Sequence, residues 1–132
     1  EIMLENGTTT LEIKSGYGLD LETELKMLKV AKVLNKEIDT TIISTFLGAH
    51  AIPLEYKGDS DGYIDHIITE MLPLIAEKQL ATFVDAFCEN IAFSAKQVER
   101  LFIAAKKLGF KIKLHAEQLT DQKGAVMAAN HG

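Results

Sequence analysis

The chain has 132 residues, 47% hydrophobic and 25% charged, which suits one packed domain and excludes a disordered composition. Its net charge is −5 and its lysines are spread along the chain, so a nucleic-acid partner is not expected. The lone cysteine, Cys88, excludes an internal disulfide and suits a reducing cytoplasm. No run approaches the roughly 20 apolar residues of a membrane span, and no signal-peptide pattern is visible. A cytoplasmic location with no membrane partner is therefore expected. Glu1 stands where an initiating Met would, which suggests a start inside a longer reading frame or processing.

In chain order, Thr8-Thr-Thr-Leu-Glu-Ile-Lys14 is rich in β-branched residues and predicts a first strand. The turn Ser15-Gly-Tyr-Gly18 follows. Asp20 then caps a predicted helix from about Leu21 to Asn35, with Leu21, Leu25, Leu28, Ala31 and Leu34 as its apolar stripe. Thr40-Thr-Ile-Ile-Ser-Thr-Phe46 predicts a second strand, and a long connection from Leu47 to Asp61 holds His50. A helix is predicted from about Tyr63 to Lys78, with a kink or break near Met71 because Pro73 lacks a backbone donor.

Thr82-Phe-Val-Asp-Ala-Phe87 predicts the third strand, ending at Cys88-Glu89. Ser94 and Gln97 have the spacing of a capping box, with Phe93 and Val98 placed as its hydrophobic staple. That helix should end at Gly109. In Lys111-Ile-Lys-Leu-His-Ala-Glu-Gln118 the first four residues alternate with period two, so His115 falls at the carboxyl end of a fourth strand. A last helix is predicted from about Gln122 to Asn130, weakened by Gly124.

Four strand–helix units of about 30 residues each imply an α/β fold with a parallel sheet. Two architectures compete: an open doubly wound sheet, or part of a (β/α)8 TIM-type barrel, which needs about 250 residues. No Gly-x-Gly-x-x-Gly or Walker A loop supports nucleotide binding in an open sheet.

Read at the carboxyl ends of the strands, the units present Tyr17, His50, Glu89, and His115 with Gln118. In a barrel these positions would converge on one mouth. Tyr17, between glycines, is either a turn residue packing on a neighbouring loop or a phenol donor for a substrate oxygen. His50 has small neighbours that would let a ligand approach its ring. Glu89 and Cys88 read as structural, as do His66 and His131 on predicted helices. His115 is the best single candidate, because a rigid strand end suits an imidazole ligand of zinc or iron. One histidine alone does not make a metal site.

The segments Gly7-Thr-Thr-Thr10, Glu12-Ile-Lys-Ser-Gly-Tyr-Gly-Leu-Asp20, Thr45-Phe-Leu-Gly-Ala-His-Ala51, Phe87-Cys-Glu89 and Lys113-Leu-His-Ala-Glu-Gln118 together resemble the imidazolonepropionase family of amidohydrolases. The resemblance runs over essentially the whole chain, with the motifs in order. It implies a metal-dependent (β/α)8 barrel that hydrolyses 4-imidazolone-5-propanoate to N-formimidoyl-L-glutamate in histidine degradation. It also implies that His115 is a ligand of a zinc or iron ion, that Tyr17, His50 and Gln118 contact the substrate, and that His50 is catalytic.

The family's His-x-His metal pair, its later histidine, its aspartate ligand and its substrate-binding arginine have no counterpart in these 132 residues. Residues 1–132 are therefore expected to form a partial barrel domain, strands two to five of a longer enzyme. As a fragment with one metal ligand it is expected to be inactive alone, and its open edges suggest a homo-oligomer. Two other functions compete: a nucleobase deaminase of the amidohydrolase group, and a non-catalytic half-barrel that binds a small molecule or assists assembly.

Overall fold

The computed structural model describes residues 2–132. A short helix α1 (Ile2–Glu5), which the sequence did not signal, precedes β1 (Thr10–Lys14). Helix α2 (Leu21–Glu37) follows, with the Asp20 carboxylate accepting from Thr23 N–H at 2.8 Å as its cap. The second strand, β2 (Thr41–Ala49), runs three residues beyond the expected end at Phe46, because the chain stays paired with its neighbour through Ala49. The connection that follows is correspondingly shorter and contains a 3-10 turn over Leu54–Tyr56.

The helical path from residue 60 to 77 replaces the expected helix with a break. It consists of α3 (Ser60–His66), a π-helical turn (Ile67–Met71) and α4 (Leu72–Glu77). Pro73 lies in the first turn of α4, where a missing N–H costs little, and the wider turn before it absorbs the mismatch. The chain therefore stays helical where a kink or stop was expected.

Next come β3 (Phe83–Cys88) and α5 (Ala95–Lys107). The capping box forms as predicted: Gln97 Oε1 accepts from Ser94 N–H at 2.9 Å, and Phe93 and Val98 are fully buried. The expected fourth strand divides into β4 (Lys111–Ile112) and β5 (His115–Ala116), both paired with β3. Helix α6 (Gly124–His131) closes the chain, two residues later than expected at its start.

All pairings are parallel, and the strand order is β1-β2-β3-β4 with no reversal. The two sheet faces differ sharply in chemistry. One packs Phe46, Val84, Ala86 and Cys88 against Leu28 of α2, Ile64 of α3, Ile75 of α4 and Leu101 and Phe102 of α5 in a single hydrophobic core. Tyr63 joins this core with no exposed surface. Its one hydroxyl proton is shared by two carbonyls, Leu19 O at 2.8 Å and Gly48 O at 3.0 Å, and burial pushes the phenol pKa up strongly.

The opposite face carries an ionic network. Lys14 Nζ lies 2.6 Å from Asp85 Oδ2 and 3.4 Å from Glu12 Oε1, and Lys113 Nζ lies 2.8 Å from the same Glu12 oxygen. Lys113 also sits 4.2 Å above the Phe83 ring. Burial works against ionisation of Glu12. Hydrogen bonds from Lys113 and Thr45, with the charges of Lys14 and Lys113, outweigh it and take the carboxyl down to about 2.

Two stability tests follow from these contacts. Tyr63→Phe should cost about 1–2 kcal/mol, because it leaves two buried carbonyls short of a donor; denaturant titration reads it directly. The depressed Glu12 pKa means that its contribution is complete above the ordinary value of 4.5 and is lost as pH falls through about 2. Acid unfolding of Glu12→Gln should accordingly show a shallower loss of stability across that window than the parent chain.

Candidate functional site

The site begins with the register of the strands. Thr45 and Phe46 pair with Phe83 and Val84, but Ala49 pairs with Ala86, so β2 holds one residue more than β3 over this stretch. Because side chains alternate, that extra residue switches every later side chain of β2 to the other face. Without it His50 would lie level with Cys88, whose side chain is in the core. With it His50 lies level with Phe87, which in turn pairs with His115. The two rings of His50 and Phe87 meet edge to face with centroids 6.3 Å apart.

Gly48 makes the bulge sterically possible. A Cβ there would stand 2.3 Å from the Phe46 ring. Its carbonyl, no longer matched by β3, is taken up by Tyr63.

The loop carrying Tyr17 is tied down by one buried acid. Glu24 of α2 accepts from the backbone N–H groups of Gly16 (2.8 Å to Oε2), Gly18 (2.9 Å) and Leu19 (3.0 Å). Gly16 needs to be glycine on two counts: its φ is +102°, and a Cβ would stand 2.3 Å from Leu47 O. Tyr17 is thereby held out in solvent, 76% exposed, with its ring edge-on to His50 at 5.3 Å.

The tautomer of His50 is set by a protein acceptor. His50 Nδ1 lies 2.9 Å from Gly16 O, and a carbonyl can only accept, so Nδ1 carries the proton. His115 Nδ1 lies 3.0 Å from Asp85 Oδ2, a close approach of ring and carboxylate. A neutral His50 ring then has its lone pair on Nε2, and neither histidine's Nε2 has a partner among the described residues.

Tyr17, His50, His115 and Gln118, the four residues singled out from the sequence, line one cavity of about 320 Å³ together with Lys14, Leu47 and Phe87. Larger hollows of about 450 and 420 Å³ flank α2, but neither holds a histidine. Two charged groups at the site were not singled out from the sequence. Lys14 only ends the β-branched run that starts at Thr8. Asp85 is 1% exposed, and the visible clue was a lone acid inside Phe83-Val-Asp-Ala-Phe87.

The other acids, the cysteine and the remaining histidines make contacts within the fold. Glu89 is buried and accepts from Leu119 N–H, Thr120 N–H and the Thr120 hydroxyl, which with the last as chief cause hold its carboxyl below the usual range. Glu117, next to His115, is spent on the N–H groups of Gly124 and Ala125 at the start of α6. Burial pushes the Cys88 thiol pKa up. His66 stacks on Tyr56, and His131 pairs with Glu99 at 3.0 Å. Among the described residues no three His, Cys, Asp or Glu side chains gather as a metal site. His115 fits as one ligand, with a free Nε2 backed by a carboxylate, but not as a complete set.

No family model matches the chain. Among curated proteins, it is 58% identical over 130 residues to the imidazolonepropionase of Shewanella piezotolerans, covering 98% of this chain and 32% of that protein. It is 56% identical over 130 residues to the imidazolonepropionase of Shewanella oneidensis, with the same coverage. Against that of Pseudomonas entomophila it is 56% identical over 131 residues, 99% of this chain and 33% of the relative. Over nearly its whole length the chain is thus a homologue of imidazolonepropionases, and it spans about a third of the length of the curated relatives it matches.

Proposed function

We propose that this chain supplies one wall of the active site of an imidazolonepropionase, which hydrolyses the ring amide of 4-imidazolone-5-propanoate to N-formimidoyl-L-glutamate in histidine degradation. The observation that carries the reading is the single cavity that gathers Tyr17, His50, His115 and Gln118 from three strand ends. The unreversed strand order, with helices on one face and ionic groups on the other, supports placement in a (β/α)8 barrel, whose interior the ionic face would line.

Tyr17, exposed by its glycines, would donate to a substrate oxygen, and the Gln118 amide would hold the ring or its side chain. His50 would stabilise the oxygen that gains charge. An imidazolium there would donate from both nitrogens, Nδ1 to Gly16 O and Nε2 to that oxygen. A zinc or iron ion, held in part by His115 Nε2, would supply Lewis acidity and a hydroxide nucleophile at neutral pH. The remaining ligands are not among the described residues.

In a longer enzyme that carries this segment, His50→Ala should lower turnover by about 10²–10³, the usual cost of an oxyanion donor, without loss of helical signal. Steady-state kinetics with imidazolonepropanoate decide it; unchanged kcat would remove His50 from the mechanism. Hydrolysis of a nucleobase instead would favour a deaminase. The 132-residue chain alone, with one ligand where a catalytic zinc site uses about three, should bind metal weakly and show no turnover. Equilibrium dialysis and a product assay check both halves of that expectation.

A further inference from the structure

We propose that Asp85 is a positioning residue that fixes the tautomer and the direction of the His115 ring, so that Nε2 faces the cavity. The inference rests on the reading that His115 acts through Nε2. It adds a residue that no motif assigned.

Asp85 sits in the middle of β3, between Val84 and Ala86, and is 1% exposed. Its two oxygens have separate duties. Oδ1 accepts from Ala86 N–H at 2.8 Å, which fixes the plane of the carboxylate. Oδ2 is shared by Lys14 Nζ at 2.6 Å and His115 Nδ1 at 3.0 Å. Lys14 supplies the counter-charge from β1, so a carboxylate can be held in the sheet at tolerable cost.

An apolar pair at positions 14 and 85 could hold the sheet equally well, since buried ion pairs seldom add stability over hydrophobic neighbours. Such a pair could not orient His115. The His115 side chain is 44% exposed, and Asp85 is its one polar side-chain partner among the described residues. Without that acceptor the ring would turn freely and take its proton on either nitrogen. A carboxylate behind an imidazole has the same effect in metal sites and in hydrolase triads, where it selects the nitrogen left free to act.

The test reads the tautomer directly, by two-bond 1H–15N correlation spectra of the 15N-labelled 132-residue chain above about pH 8, where imidazoles are neutral. The His115 signals are assigned by their loss in His115→Gln. The parent chain should show His115 protonated at Nδ1. In Asp85→Asn, made together with Lys14→Met so that no ammonium faces the new amide, Oδ1 still accepts from Ala86 N–H and the amide NH2 takes the place of Oδ2. His115 Nδ1 must then accept, and the proton should move to Nε2. Asp85→Ala should likewise lose the Nδ1-protonated form, whereas Lys14→Met, which removes only the ion pair, should keep it.

Retention of Nδ1–H in both Asp85 variants would overturn the proposal, as would loss of it in Lys14→Met. The near-isosteric Asn variant decides the matter if the Ala variant unfolds. A second readout is metal affinity in a longer enzyme carrying this segment, measured by chelator competition. Asp85→Asn should weaken it about 10–100-fold. An absence of imidazolonepropanoate hydrolysis would sink the proposed reaction and leave the tautomer result standing.

Discussion

One extra residue in β2, between Phe46 and Ala49, governs the arrangement of everything that meets at the cavity. It turns His50 from the core side of the sheet to the side that carries Phe87 and His115. The same bulge frees the Gly48 carbonyl, which the Tyr63 hydroxyl satisfies while also holding Leu19 at the end of the Tyr17 loop. A register feature of the sheet, a helix side chain and the glycine loop are thus mechanically joined. Bulges next to binding sites re-aim side chains in this way at little cost to the remainder of the ladder.

The sheet divides its labour between faces. The helices gather on one side over Phe46, Val84, Ala86 and Cys88, and the hydrophobic effect of that burial holds the chain together. The other side holds Glu12, Lys14, Asp85, Lys113 and His115 in contact with one another. Fixed charges of alternating sign on rigid strands are well suited to orienting imidazoles and poorly suited to driving folding. The core supplies stability, and the ionic face borders the cavity.

The acids around the cavity fall into two kinds. Glu24, Glu89 and Glu117 each give both oxygens to backbone N–H or hydroxyl groups and so shape the loops that carry Tyr17 and Gln118. Their lone pairs are committed, which leaves little capacity for moving protons. His50 is the reverse, with Nδ1 anchored on Gly16 O and Nε2 free. The uncommitted nitrogens around the cavity are thus the Nε2 atoms of His50 and His115.

The sequence by itself determined the alternation of strands and helices, the capping of α2 and α5, and four of the residues that line the cavity. Those features are local: β-branched runs, a Ser–Gln spacing and short motifs at strand ends show in the chain before it folds. The π-turn that carries the helix through Pro73 and the division of the last strand were not legible, because each depends on packing and pairing rather than on local propensity. Tertiary structure alone decided the roles of Lys14 and Asp85, since an alternating strand looks the same whether its polar face meets water or other charges. It also decided the bulge in β2. Register is a relation between two strands, and no property of Thr41–Ala49 alone states which residue of β3 it will meet.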